Sequence, residues 1–111
     1  MPRPIRSIEI YLPLDYNDGA PIEESKFVGV QRVLLKRFGG VTSTRRQFPL
    51  QGLWQSGTQV FQDRVVVFAA IDFQTGTDFE IFRYLGRLKN RLKRSFDQLD
   101  LLITVQDLVA V

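Results

Sequence analysis

Residues 65–71 read Val-Val-Val-Phe-Ala-Ala-Ile, apolar at every position. Successive side chains of a strand point to opposite faces, so such a run makes both sides of its sheet apolar. Arg64 to Phe73 is therefore expected to be a central strand. Val65, Val67, Ala69 and Ile71 fill one side, and Val66, Phe68 and Ala70 fill the other. Both sides need cover.

The flanking sequence supplies cover for one side. Phe27, Val30, Leu34 and Phe38 recur at three and four residues, which predicts a helix from Ile22 to Phe38 that Gly39-Gly40 stops. Glu23 and Glu24 at its start and Lys36 and Arg37 at its end suit the helix dipole. A second helix opens at Thr77, with Glu80 three residues on as a capping box, and continues through Phe82, Leu85, Leu88 or Lys89, Leu92 and Phe96.

Two segments alternate as half-buried strands. Ser7 to Leu14 places Ile8, Ile10, Leu12 and Leu14 on one face and Glu9 and Tyr11 on the other. Leu101 to Val109 places Leu101, Ile103, Val105 and Val109 against Thr104 and Gln106. Val41 to Phe48 reads as a more polar strand ended by Pro49. Gln51 to Phe61 reads as a short hairpin or flap around Ser56-Gly57. Asp15 to Pro21 is dense in turn formers.

The order β-α-β-(flap)-β-α-β over 111 residues implies one α+β domain. The simplest packing is a ferredoxin-like sandwich, a four-stranded antiparallel sheet with both helices on one face. The first and third strands are central in it, and the Arg45-bearing and C-terminal strands are edges.

In this reading Val66 and Phe68 face away from the helices, with Tyr11 beside them. Leaving them wet forgoes about 1.5–3 kcal/mol each. Three covers are open: the 51–61 flap with Leu53, Trp54 or Phe61 as lid, a second copy of the chain, or a ligand or nucleic acid. Tyr11, Arg45, Trp54, Val66 and Phe68 are thus the candidate partner- or ligand-binding residues.

Composition narrows the chemistry. With neither cysteine nor histidine, disulfides, thiolate metal sites, cysteine nucleophiles and Ser-His-Asp triads are impossible, and a catalytic zinc is hard to build. No phosphate-loop signature is present, and no cofactor is expected. The longest apolar run is far short of the ~20 residues of a membrane helix, and Met1 to Ser7 has no signal-peptide core. A cytoplasmic protein with no membrane association is expected.

Arg83, Arg87, Lys89, Arg91, Lys93 and Arg94 fall in twelve residues without an acid. Such a stripe either neutralises phosphates or is a solvated helix face, and with a net charge of only +3 the second reading is preferred. Arg83, Arg87, Arg91 and Arg94 are the nucleic-acid candidates. Ile10-Tyr-Leu-Pro-Leu14, with Tyr11 as a stacking aromatic, resembles the first-strand signature of RNA-recognition motifs, but Val65–Ile71 lacks their basic-Gly-aromatic-small-aromatic pattern. Arg45 and Arg46 on an edge strand clamp an anion or guard against sheet-to-sheet pairing. Asp15, Asn17 and Asp18 lack the spacing of a calcium loop.

Glu9-Ile-Tyr-Leu-Pro-Leu-Asp-Tyr-Asn-Asp-Gly19, Arg37-Phe-Gly-Gly-Val-Thr42 and Gly52-Leu-Trp54 resemble a group of short bacterial proteins of about this length. The likeness spans most of the first two thirds of the chain. It implies that the Gly-Leu-Trp turn is a fixed feature of such proteins, and it supplies no catalytic residue. The topology also resembles the trimeric PII-type signal proteins, whose mobile loop between the second and third strands corresponds to Gln47–Asp63 here.

Three functions follow as expectations. The first is a non-catalytic homo-oligomeric binding or regulatory module acting through the sheet face and the 51–61 flap, with a protein or small anionic ligand as partner. The second is a nucleic-acid-associated protein using the basic helix. The third is a small cofactor-free enzyme with a pocket between sheet and flap, Asp72 or Glu9 as acid or base, and Arg45 as anion clamp.

Overall fold

The computed structural model describes the backbone of residues 1–43, 50–56, 59–74 and 76–111, and the side chains of 1–42, 64–74 and 76–111. The elements are β1 (Arg3–Pro13), α1 (Glu24–Phe38), β2 (Thr42–Ser43), β3 (Leu50–Ser56), β4 (Gln59–Asp72), α2 (Asp78–Ser95) and β5 (Leu102–Ala110). The strands join one antiparallel sheet in the order β2-β4-β1-β5, with β3 also paired to β4. It is an α+β fold with two helices.

β4 is one continuous strand with two kinds of neighbour. From Val65 onward it pairs β1, and Ala69 and Phe68 also meet Thr42 and Ser43 of β2. Its earlier residues pair with β3 in a ladder that runs from Leu50↔Val65 to Ser56↔Gln59. The expected hairpin is therefore the extension of the central strand, about 20 Å of ribbon at 3.3–3.4 Å per residue. Of the expected Val41–Phe48 strand, residues 44–48, Arg45 among them, lie outside the described residues, as do the side chains of the 51–61 flap, Trp54 among them.

The register decides which side of β4 the helices cover. Ile8 pairs Ala70, Ile10 pairs Phe68 and Leu12 pairs Val66. Cross-strand partners share a face, so Val66 and Phe68 lie with the apolar stripe of β1. All six join a core that takes Phe27, Val30, Leu34 and Phe38 from α1 and Ile81, Leu85, Leu88 and Leu92 from α2. Both helices therefore sit on this face.

The expectation that Val66 and Phe68 face away from the helices is corrected here. Both have no accessible surface, and the Phe27 ring stacks on Phe68 at 6.4 Å between centroids while also meeting Phe96 edge-on at 5.5 Å. Neither can bind a partner or ligand. The other parity of β4, Val67, Ala69 and Ile71, occupies the open face half-buried, with Val65 buried at its end.

Local chemistry sets the helix ends. Thr77 Oγ1 accepts from the Glu80 N–H at 3.1 Å and Glu80 Oε2 accepts from the Thr77 N–H at 3.2 Å, the reciprocal capping box at the start of α2. Gly39 ends α1 at φ 81°, in the left-handed region where glycine carries no Cβ penalty, and donates to Leu35 O. Phe82, expected in the core, is 56% exposed; Ile81 takes its place, one residue earlier on the helical turn. Among the described residues no helix is long and apolar enough to cross a membrane.

Candidate functional site

The open face of β1 carries Ser7, Glu9, Tyr11 and Pro13, alternating with the buried stripe. Two residues apart on one strand, Glu9 and Tyr11 share that face, and the Tyr11 hydroxyl donates to Glu9 Oε2 at 2.7 Å. The bond stabilises the protonated phenol, and together with burial and the carboxylate charge it raises the Tyr11 pKa; a hydrogen bond with Thr104 pulls the other way. Thr104 is the β5 partner of Glu9, and Leu102 the partner of Tyr11.

Tyr11 also borders a cavity of about 420 Å³ at the end of the sheet where β1 leaves and β5 begins. Pro13, Val65, Leu99, Leu101 and Leu102 form its apolar wall, and Asn17, Lys89, Gln98 and Asp100 its polar one. Lys89 Nζ lies 3.0 Å from Asp100 Oδ1, and that bond, aided by the Leu101 N–H, holds the Asp100 carboxyl below the usual range. A cavity of this size with an apolar wall and a few polar groups takes a small organic molecule.

The turn before α1 closes the same end. Asp15 holds Arg64 through both carboxylate oxygens, each at 3.1 Å from Nη2. Tyr16 donates to Glu23 and accepts from Lys26, which also donates to Ser95 O at the end of α2. These contacts clamp the turn to α1 and α2, and Gly19 at φ 88° makes the reversal possible. The acid-rich segment is a turn, as its spacing implies.

Of the proposed residues, Tyr11 borders the cavity and Glu9 is bonded to it from the same face of β1. Asp72 is not there. It lies on the helix side, 5% exposed and 3.5 Å from Arg6, committed to an ion pair. Arg83, Arg87, Arg91 and Arg94 are exposed on the outer side of α2, a whole layer away from the open face. Among the described residues no cluster of acids is able to hold a metal ion.

Sequence reasoning missed Asn17, Lys89, Gln98 and Asp100 in the cavity, because no spacing links a turn, a helix and the α2–β5 connection. Arg6 did carry a signal. It is in phase with Ile8, Ile10 and Leu12, and a charge in step with a core stripe implies a buried counter-charge.

No protein-family model matches the sequence, and no curated protein is significantly similar to it. Solved structures do match. A phage SAM lyase in complex with S-methyl-5'-thioadenosine superposes with a TM-score of 0.69 at 15% identity, covering 96% of this chain and 89% of that one. A phage SAM lyase in its apo state gives 0.68 at 17% identity, covering 96% and 84%. At such identities what is shared is the fold: this chain has the fold of those lyases over nearly its whole length.

Proposed function

We propose that the chain binds an adenosyl thioether or sulfonium at the open sheet face and acts on the sulfonium as a small, cofactor-free enzyme. The observation that carries the reading is Tyr11, which borders a 420 Å³ cavity and donates its hydroxyl to the Glu9 carboxylate behind it at 2.7 Å. The fold likeness to a SAM lyase holding S-methyl-5'-thioadenosine indicates which ligand to try. The strand order, with both helices on one face, is read as the ferredoxin-like arrangement that the element order implies.

The chemistry suits a chain without histidine or cysteine. When a C–S bond of a sulfonium breaks, the electron pair goes to sulfur and a neutral thioether departs, so the leaving group needs no proton. The carbon that loses sulfur either bonds to an oxygen of the substrate's own carboxylate or forms a double bond to the adjacent carbon, whose proton passes to Glu9 and whose C–H electron pair becomes the new bond. Positive charge disappears in this step, so the apolar wall of Val65, Leu101 and Leu102 favours it over water. Tyr11 offers an aromatic face to the cation and keeps its own proton to hold Glu9 in place.

The test is direct. The full chain is incubated with S-adenosylmethionine and the release of S-methyl-5'-thioadenosine followed by chromatography. Turnover is expected, with Glu9→Gln and Tyr11→Phe each lowering it by about a hundredfold or more. No release above the spontaneous rate, and no calorimetric binding of S-methyl-5'-thioadenosine at millimolar concentration, overturns the reading.

A homo-oligomer is a second element of the proposal. Val67, Ala69 and Ile71 are only half-covered, and Phe73, Leu102 and Leu108 are 47%, 42% and 38% exposed on the same side. A second copy packed here covers them and encloses the cavity. A monomer at tens of micromolar in sedimentation equilibrium removes that element and leaves the ligand question standing.

A further inference from the structure

Charge is divided between the two layers. α1 and α2 together carry ten Lys and Arg against three Asp and Glu, whereas the rest of the chain carries five against nine. The helix layer is thus +7 and everything else −4, within a net charge of +3. The three helical acids, Glu24, Asp78 and Glu80, all sit in first turns, where the dipole favours them. Past those turns both helices are free of acids.

The cations form a continuous surface. Arg83, Arg87 and Arg91 are spaced by four, about 6 Å apart along the axis, and Arg83 to Arg94 spans about 16 Å. All four are exposed, and among the described residues no acid pairs with any of them. Arg37 of α1 lies 4.9 Å from the Tyr84 ring, and both its charge and that of Arg91 act on the Tyr84 hydroxyl, so the patch crosses the groove between the helices. The dipole accounts for Lys93 and Arg94 in the last turn of α2, but not for Arg83 or Arg87.

Repeating like charges at i, i+4 costs a helix a few tenths of a kcal/mol per pair. Interspersed charges solvate a face equally well without that cost. We propose that the outer face of the helix layer binds the sugar–phosphate backbone of nucleic acid, without reading bases. The planar guanidinium matches phosphate geometry, and four of the six cations of α2 are arginines. Duplex DNA offers one negative charge per ~1.7 Å of axis, so a 16 Å row finds phosphates in any register. The exposed Phe79 and Phe82 lie toward the N-terminal end of α2, ahead of the arginines and not among them. A bilayer interface calls for apolar groups interleaved with the cations. The four arginines are not among the residues lining the cavity, to which α2 contributes Lys89, and the proposal does not depend on the enzyme reading.

The test is fluorescence anisotropy of the full chain with labelled duplex DNA and single-stranded RNA, beside sedimentation with vesicles of anionic phospholipid. Binding to the nucleic acids is expected at low salt, falling about a hundredfold between roughly 50 and 200 mM as four phosphate contacts require. Arg83→Gln/Arg87→Gln is expected to weaken it at least about tenfold. Arg3→Gln/Arg64→Gln, which removes the same charge elsewhere, leaves it nearly unchanged. Circular dichroism checks that both variants fold. No binding at low salt, equal loss in the two double variants, or binding to the vesicles alone overturns the proposal.

Discussion

Arg6 of β1 and Asp72 of β4 face each other across the strand pair with Nη1 and Oδ2 3.5 Å apart, 3% and 5% exposed. Arg6 also reaches Asp78 Oδ1 at 3.2 Å and donates to Gly76 O at 3.1 Å, both at the approach to α2. One guanidinium thus joins two central elements of the sheet to the start of the second helix. Asp72 meanwhile accepts from the Gln74 N–H and shapes the turn out of β4.

Removing one member of such a pair leaves a charge buried. Asp72→Ala is expected to cost about 3–5 kcal/mol in urea denaturation, whereas the apolar pair Arg6→Met/Asp72→Leu costs far less than the two single changes added. Additive costs would show that the pair is not coupled as described.

The face assignment of β4 has its own measurement. Phe68→Ala deletes a fully buried ring stacked on Phe27, for an expected loss of about 3–5 kcal/mol. Val67→Ala, on the half-covered face, is expected to cost less than about 1.5 kcal/mol. The reverse ranking refutes the register.

Tyr11 should ionise above the ordinary tyrosine value of about 10, because its hydrogen bond to Glu9 favours the protonated phenol. A raised folded value contributes stability fully present below the unfolded value and lost as pH climbs through the folded one. In a spectrophotometric titration, Tyr11→Phe is expected to remove a phenol titrating above about pH 10. Glu9→Gln is expected to move that phenol back toward the ordinary value. An unchanged titration in Glu9→Gln argues against the bond.

Thr77→Ala removes one half of the capping box at α2 and is expected to lower stability by about 1 kcal/mol. Thr77→Ser, which keeps the hydroxyl, restores most of it. Thermal unfolding of the three proteins decides this.

Much of the local structure was legible. The Thr77/Glu80 box, the Gly39 stop and the four buried residues of α1 follow from side chains acting on their own turn of helix, and such effects need nothing distant. The alternation of β1 was equally clear, since Glu9 and Tyr11 mark its outer face. Its first residues were not: Arg6 belongs to the covered stripe because Asp72 and Asp78 neutralise it, and both are more than sixty positions away. The cavity was illegible for the same reason. Asn17, Lys89 and Asp100 are neighbours only after the chain has folded.

By itself the amino-acid sequence determined the order of the elements, their caps, the apolar stripe of β1 and the absence of any thiol or imidazole. Which side of β4 the helices cover was decided only in three dimensions. A strand apolar at both parities fits a core on either side, and a shift of one residue in its pairing exchanges them. Pairing Ile10 with Phe68 settled the choice, because the stripe on β1 has only one side it can bury.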